Sequence, residues 1–147
     1  MPDSEEKLDQ REATKRLNAA LSLQLRSALQ YSITAASLSG IEAQALAPQL
    51  TGFGDQELAD ARLLIEKIVS FDGEPTTEVA ELKFEPAATD ALRWLIECEE
   101  AAVETLQEAI EPTGREGRSE ALEHLMEHLI MRKQNQVDWL RRARRAA

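Results

Sequence analysis

DGEPTTEVAELKFE, residues 72–85, separates two pairs of segments that predict helices. This stretch is 14 residues long and contains two turn-forming patches, whereas connections in helical bundles usually take about 2–8 residues. Fully extended at about 3.3 Å per residue, it would span about 46 Å, the length of a helix of about 30 residues. We therefore predict that it crosses the whole length of a bundle, so that the helices before and after it run parallel.

The two helices before this crossover are predicted from apolar residues at helical spacing. The first begins at a capping box over residues 3–6 and ends at about Ser37. The second runs from about Ile41 to Phe71. Because Pro48 and two glycines after it disfavour helix, we expect this second helix to kink at Pro48 or to begin later.

The two helices after the crossover are more regular. One starts near Pro86 and ends before Pro112, and the other follows Ser119, a predicted N-cap, and reaches Leu140. No segment alternates as a half-buried strand does. Residues 1–147 are thus predicted to form one all-α domain, a four-helix bundle with a long crossover between helices two and three, which is typical of ferritin-like bundles.

Composition agrees with one helical domain and limits its partners. Apolar residues make up 43% of the 147 residues and aromatic residues 4%. The 27 acidic and 17 basic residues give a net charge of −10, which argues against nucleic-acid binding. We interpret the arginines within residues 141–145 as a solvated helix end. A single cysteine, no signal peptide and no membrane-spanning run predict a cytoplasmic protein that does not bind membranes.

Several charged residues fall on faces that a bundle would bury. Glu57 and Asp60 lie one turn apart on the second helix, Glu99 lies in the apolar third helix, and Lys133 lies in the fourth. Carboxylates are rarely buried unless they are paired or bind a cation. This group is therefore the best candidate for a functional site.

Four pieces of sequence resemble bacterioferritins, in the same order and with similar spacing. They are residues 17–25 continuing to Tyr31, residues 65–68 running into 72–75, residues 106–110 and residues 137–140. The resemblance covers roughly Leu17 to Leu140. It implies a ferritin-like bundle and a role in iron storage or homeostasis.

The resemblance also implies where a di-iron centre would lie. Such a site takes one Glu from each of two helices and a Glu-x-x-His from each of the other two. The six positions fall on residues of which only three are carboxylates: Gln24, Glu57, Asp60, Glu99, Lys133 and Gln136. Because a protonated lysine cannot bind iron and repels it, we predict a degenerate centre with no catalytic or cofactor-binding residue, in which Lys133 pairs with the carboxylates.

Three carboxylates against one lysine leave excess negative charge, and three solutions stay open. One carboxyl group takes up a proton, Arg132 contributes a second cation, or a single metal ion remains on Glu57, Asp60 and Glu99. We expect a metal-free core, with iron as the alternative. We expect no haem, because Leu58 stands where bacterioferritins have the methionine that binds it.

Assembly is expected to stop short of a shell. In bacterioferritins, which this chain resembles, many subunits form a hollow shell and each subunit has a short fifth helix after the fourth. This chain has only seven residues after Leu140. We predict a homodimer through helices one and two, with an apolar patch of Tyr31, Leu38, Leu46 and Leu63.

Two other features are predicted to be structural. Residues 124–128, HLMEH, fit the pattern of inverted zinc proteases, but His124 and His128 fall on the side of the helix away from Lys133 and should be exposed. Cys98 has glutamates on both sides, which raise the pKa of a thiol. We predict that it is a packing residue.

The sequence therefore favours a non-catalytic, bacterioferritin-like subunit, acting as a structural or mineral-nucleating partner of an active ferritin. Two alternatives remain. One is an enzyme with iron or manganese on the remaining carboxylates, and the other is a metal-free helical module that binds another protein.

Overall fold

Four long helices form the bundle. The structure is a computed structural model that describes residues 9–110 and 117–146, and within these residues it contains only helices and their connections. The helices are α1 (Gln10–Ser37), α2 (Ile41–Gln44), α3 (Ala47–Ser70), α4 (Ala88–Ile110) and α5 (Gly117–Ala146). The predicted all-α bundle is confirmed, with α2 as a single turn between α1 and α3. None of these helices is sufficiently long and apolar to cross a bilayer.

The first two predicted helices differ from the structure at their ends. The capping box over residues 3–6 lies outside the described residues, and α1 is capped by Asp9, whose carboxylate accepts hydrogen bonds from the backbone N–H groups of Arg11 and Glu12. The predicted second helix is interrupted after Gln44 and resumes as α3. Pro48 lies in the first turn of α3, where its missing N–H costs no helical hydrogen bond.

The predicted start of the last helix is wrong. Helix α5 already includes Gly117, so Ser119 lies inside its first turn and is not the N-cap. The Ser119 side chain is buried instead of capping the helix. The predicted end of the third helix at Pro112 lies outside the described residues.

Two side-chain amides hold the crossover against α1. Asn18 donates to the carbonyl of Glu74 over 2.9 Å and accepts from the N–H of Thr76 over 2.8 Å. Further along α1, Gln30 donates to the carbonyl of Lys83 over 2.7 Å and accepts from its N–H over 3.0 Å. The crossover therefore runs in the same direction as α1. Helix α4 starts near the end of α1 and runs parallel to α3, as predicted.

The core consists of two apolar layers. The layer near the start of α1 is formed by Ala13, Leu17, Ala20, Leu21, Ala61, Leu64, Ile68, Phe71, Leu106, Ala109, Leu122, Met126 and Leu129. The layer near the end of α1 is formed by Tyr31, Leu50, Leu92, Leu95, Ile96, Val137 and Leu140. Buried polar side chains lie between these two layers.

Candidate functional site

All residues at the candidate positions are buried at the level between the two apolar layers. Lys133, whose orientation the sequence left open, is inaccessible to solvent. Each of the six residues is at most 5% exposed to solvent: Gln24, Glu57, Asp60, Glu99, Lys133 and Gln136. We call Gln24, Glu57, Glu99, Lys133 and Gln136 the polar layer.

Lys133 lies at the centre of the polar layer. Its Nζ donates to Glu57 Oε2 over 2.7 Å and to Glu99 Oε1 over 3.1 Å. Because Glu57 is on α3, Glu99 on α4 and Lys133 on α5, one ammonium group joins three helices.

Amide groups and a phenol supply the remaining donors. Gln24 Nε2 donates to the backbone carbonyl of Glu57 over 2.8 Å and also to Glu57 Oε2. With its side-chain amide turned so that the nitrogen faces the carboxylates, Gln136 donates to Glu57 Oε1 over 2.6 Å and to Glu99 Oε2 over 2.7 Å. Tyr31 donates its O–H to Glu99 Oε2 over 3.2 Å. Each of the four carboxylate oxygens thus accepts at least one hydrogen bond.

Tyr31 is a site residue that the sequence analysis missed. The predicted dimer patch included it, but its side chain is fully buried and its O–H contacts the polar layer, so that assignment is wrong. The spacing of seven residues between Gln24 and Tyr31, which puts both on one helix face, was the available signal.

The two carboxyl groups have opposite electrostatic environments. Burial and the charge of Glu99 raise the pKa of Glu57 well above its usual value, although Lys133 opposes this shift. Burial would also raise the pKa of Glu99, but the charge of Lys133 and its hydrogen bond lower it overall. The pattern favours an ionised Glu99 beside a Glu57 that binds a proton readily.

Lys133 and Tyr31 keep their protons in this environment. Burial alone would lower the pKa of Lys133, but the two carboxylates outweigh it and raise that pKa. The pKa of Tyr31 is raised well above its usual value by burial, by the charges of Glu99 and Glu57, and by its hydrogen bond to Glu99. Both groups therefore act as hydrogen-bond donors at neutral pH.

Asp60 is separated from the polar layer by its own partners. Arg132 binds it with two hydrogen bonds, Nε to Oδ2 over 3.1 Å and an Nη to Oδ1 over 2.7 Å. Gln56 donates to the same Oδ1 over 3.0 Å. The sequence left three solutions open for the excess negative charge. The structure shows one of them, because Arg132 supplies a second cation that contacts the carboxylate of Asp60.

These donors do not fit a di-iron centre. Iron ligands must offer free lone pairs, whereas the ammonium of Lys133 occupies the space between Glu57 and Glu99 and repels a cation. In the ranges 9–110 and 117–146, no three His, Cys, Asp or Glu side chains form a group that could hold a metal ion. Of the three carboxylates of the predicted residual site, Asp60 pairs with Arg132, and Glu57 and Glu99 pair with Lys133.

The remaining motifs lie elsewhere. His124 and His128 are exposed on α5, as predicted. Cys98 is buried as predicted, and burial raises the pKa of its thiol to about 12. Leu58 is 45% exposed on α3.

The order of the helices, the single long crossover and the polar layer midway along the bundle can be compared with known proteins. The ferritin-like domain profile matches residues 14–145. The chain belongs to the ferritin-like family. No curated protein sequence gives a significant match to this ferritin-like chain.

Solved structures of this fold resemble the chain over most of its length. A ferritin-like diiron-carboxylate protein from Bacillus anthracis is 25% identical, with a TM-score of 0.85 over 92% of this chain and 97% of that one. The bacterioferritin-related dodecameric thioferritin of Bacteroides fragilis is 18% identical, with a TM-score of 0.83 over 93% and 86%. Rhodobacter capsulatus bacterioferritin, which has haem iron and a metal-free dinuclear site, is 22% identical, with a TM-score of 0.78 over 89% and 82%.

Proposed function

We propose that this protein is a non-catalytic member of the ferritin-like family, in which a lysine-centred network replaces the di-iron centre. The observation that carries the proposal is the contact of one ammonium with two buried carboxylates, Lys133 with Glu57 and Glu99. In a metal site the carboxylates would neutralise the metal charge. Here Lys133 supplies the positive charge, and the amides of Gln24 and Gln136 supply further donors.

The proposed role is in iron handling, as a structural or mineral-nucleating subunit that accompanies an active ferritin. Family membership supports the iron connection, and the polar layer supports the lack of oxidation activity. Under this proposal the chain needs neither haem nor a bound metal ion to fold. We further propose a cytoplasmic location, in agreement with the absence of a membrane-spanning helix from the described residues.

We propose that the chain forms homo-oligomers, with one contact through α1 and α3. The thioferritin it resembles is a dodecamer. The predicted patch needs revision, because Leu38 and Leu46 are partly buried against the core and Leu63 lies on the α5 side of α3, three positions after Asp60. Leu29 on α1 and Leu58 on α3, exposed by 44% and 45%, are the better candidates for this contact.

Ferrous oxidation in a set of variants tests the proposal. The unaltered chain is expected to oxidise ferrous iron no faster than buffer does. The double variant Lys133→Glu/Gln136→His restores one carboxylate and one imidazole and should gain activity, because it removes the repelling ammonium and adds two ligands. Lys133→Met is the matched control, since it removes the charge without adding a ligand.

The outcomes separate the candidate functions. Oxidation by the unaltered chain that disappears in Glu99→Gln would show a surviving metal enzyme and overturn the proposal. Activity that appears only in the double variant would support a centre converted from a ferritin-like ancestor. A chain that neither binds iron nor associates with a ferritin would favour a helical module for another partner.

A further inference from the structure

The outer face of α5 carries a stripe that no other element of the described residues covers. The stripe consists of five exposed residues, of which Met131 is 55% exposed: Glu120, His124, Met131, Asp138 and Arg142. At 100° per residue, all five lie within about 20° of Met131 around the helix axis. We call these five residues the α5 stripe.

The α5 stripe is self-complementary about its centre. Glu120 and Arg142 are each 11 positions from Met131, about 16 Å along the axis at about 1.5 Å per residue. His124 and Asp138 are each seven positions from it, about 10 Å. Reversing the helix direction therefore superposes an acidic position on a basic one at both distances.

We propose that a second copy of this chain docks on the α5 stripe, antiparallel and with its two-fold axis at Met131. In this arrangement Glu120 of each copy faces Arg142 of the other, and His124 faces Asp138. The apolar side chain of Met131 meets its equivalent on the axis. A two-fold contact requires this kind of self-complementary patch, since the same residues serve both copies.

The charges at the ends of the stripe are available for this contact. Within residues 9–110 and 117–146, neither Glu120 nor Arg142 has a salt-bridge partner. By contrast, Arg141, one residue away, pairs with Glu100 of α4 over 3.0 Å. In a chain with a net charge of −10, an exposed arginine that forms no ion pair on its own chain is an attractive position for an acidic group of another copy.

The expected contact is modest. Helix α5 has 30 residues and is therefore about 45 Å long, so a strip about 10 Å wide would bury roughly 450 Å² on each copy. This area is below the roughly 800 Å² per partner of stable complexes. We expect an association that depends on concentration and salt. It uses a different face from the α1–α3 contact proposed above, so either contact can fail without the other.

Charge reversal tests the pairing and its direction together. Arg142→Glu places like charges opposite each other twice per dimer and should weaken the α5 contact by about tenfold. Glu120→Arg should weaken it similarly. The double variant Glu120→Arg/Arg142→Glu should restore it, because only antiparallel packing brings position 120 opposite position 142. The exposed Arg93→Glu on α4, a helix that takes part in neither proposed contact, makes the same change in net charge and should have no effect.

Sedimentation velocity over a range of protein concentrations measures these effects. Raising salt from about 0.01 M to about 1 M shortens the Debye length from about 30 Å to about 3 Å and should abolish the charge-dependent step. Loss of association in both single variants with recovery in the double variant supports the proposal. Equal association in all four variants, or no recovery in the double variant, overturns it.

Cysteine cross-linking locates the axis directly in the full-length protein. Met131→Cys should form a disulfide between copies under mild oxidation, because the two positions meet on the axis, while the native Cys98 is buried. Arg93→Cys on α4 is the exposed control and should remain unlinked. A mixture of Glu120→Cys and Arg142→Cys should link more than either protein alone. Preferential linking of Glu120→Cys to itself would indicate parallel packing and overturn the proposal.

Discussion

The polar layer and the apolar layers beside it are built by the same four helices but are stable for different reasons. In the apolar layers, residues such as Leu64 and Leu122 contribute by leaving water, and their neighbours can vary in shape. In the polar layer, Glu99 and Lys133 depend on each other, because either one alone would be a buried charge. The centre of this bundle is therefore stable only while its buried positive and negative charges neutralise each other.

The energetic consequence is an asymmetry between breaking the network and replacing it. Removing one partner of a buried ion pair costs about 3–5 kcal/mol, whereas replacing the whole group by apolar residues of similar volume is often neutral or stabilising. Cavity-forming changes in the apolar layers cost about 2–5 kcal/mol. The two kinds of layer therefore differ in how the cost depends on pH rather than in its size.

The largest expected effect is that of Lys133→Met. The variant leaves Glu57 and Glu99 without their cation and should lose about 3–5 kcal/mol of unfolding free energy at neutral pH. The loss should shrink as the pH falls toward about 4, because protonation neutralises the carboxylates. Urea unfolding across this pH range measures it, with Leu64→Ala as a control whose cost should not change with pH.

The triple variant Glu57→Leu/Glu99→Leu/Lys133→Met tests the effect of replacing the whole charged network by apolar residues. It removes the charges together, so its stability should return to within about 1–2 kcal/mol of the unaltered protein. A triple variant less stable than Lys133→Met would show that the charges contribute more than mutual compensation, contrary to our account.

Glu99→Gln and Glu57→Gln should differ although the changes are chemically identical. The pKa of Glu99 is lowered in the folded state, so its ionised form adds stability above the unfolded value of about 4.3, and this stability is lost as pH falls. Glu99→Gln should cost about 3 kcal/mol at pH 7, because Lys133 loses its ionised partner. Stability curves against pH for both variants measure the difference.

For Glu57 the sign is opposite. Its pKa is raised in the folded state, so its contribution is present below about 4.3 and lost as pH rises from there to the raised pKa. An amide imitates the protonated carboxyl group, so Glu57→Gln should cost little and flatten this decline. Equal losses in the two variants at pH 7 would contradict the assignment of the proton to Glu57.

The charge of Lys133 determines how the stability of the protein changes at alkaline pH. Its pKa is raised in the folded state, so the stability it adds is present below the unfolded value of about 10.4 and lost as pH rises through the folded value. Exposed Lys15→Met serves as the control for general lysine titration. Unfolding near pH 11 should therefore become easier in the unaltered protein but not in the triple apolar variant.

A smaller effect is expected where the crossover meets α1. Gln30→Leu removes both hydrogen bonds to Lys83 and should cost about 0.5–1.5 kcal/mol, because two partly buried backbone groups lose their partner. Asn18→Leu should cost less, since its site near Glu74 is partly exposed. Limited proteolysis of residues 72–85 should accelerate in Gln30→Leu. Unchanged cleavage would show that the apolar contacts of the crossover suffice.

The smallest effect concerns Cys98. Burial raises its pKa to about 12, so the thiol should not react with a disulfide reagent at neutral pH in the folded protein. Full reaction is expected in urea. Fast labelling of the native protein would contradict the tight packing of α4.

The sequence predicted the fold well because helical periodicity and a long connection both follow from local composition. The crossover was identified from its length. The burial of Glu57, Glu99 and Lys133 was identified from their positions among apolar residues. The exceptions were helix ends such as Ser119, where one residue type suits both a cap and the first turn.

The partners within the site were less predictable. The sequence offered Arg132 as a second cation but did not indicate that Asp60 binds it while Glu57 binds Lys133, because that choice depends on how α3 and α5 pack. Tyr31 was assigned to the surface because an aromatic residue suits both a core and an interface. These assignments require the three-dimensional arrangement of the helices.

Thermal unfolding of the unaltered protein with and without ferrous iron, under anaerobic conditions, shows whether the polar layer binds iron. A ligand that binds the folded state at 100 times its dissociation constant adds about 2.7 kcal/mol, which raises the midpoint measurably. We predict no iron-dependent shift, because Lys133 occupies the position between Glu57 and Glu99. An upward shift that Glu57→Gln and Glu99→Gln abolish would show a metal ion in the polar layer and contradict the account.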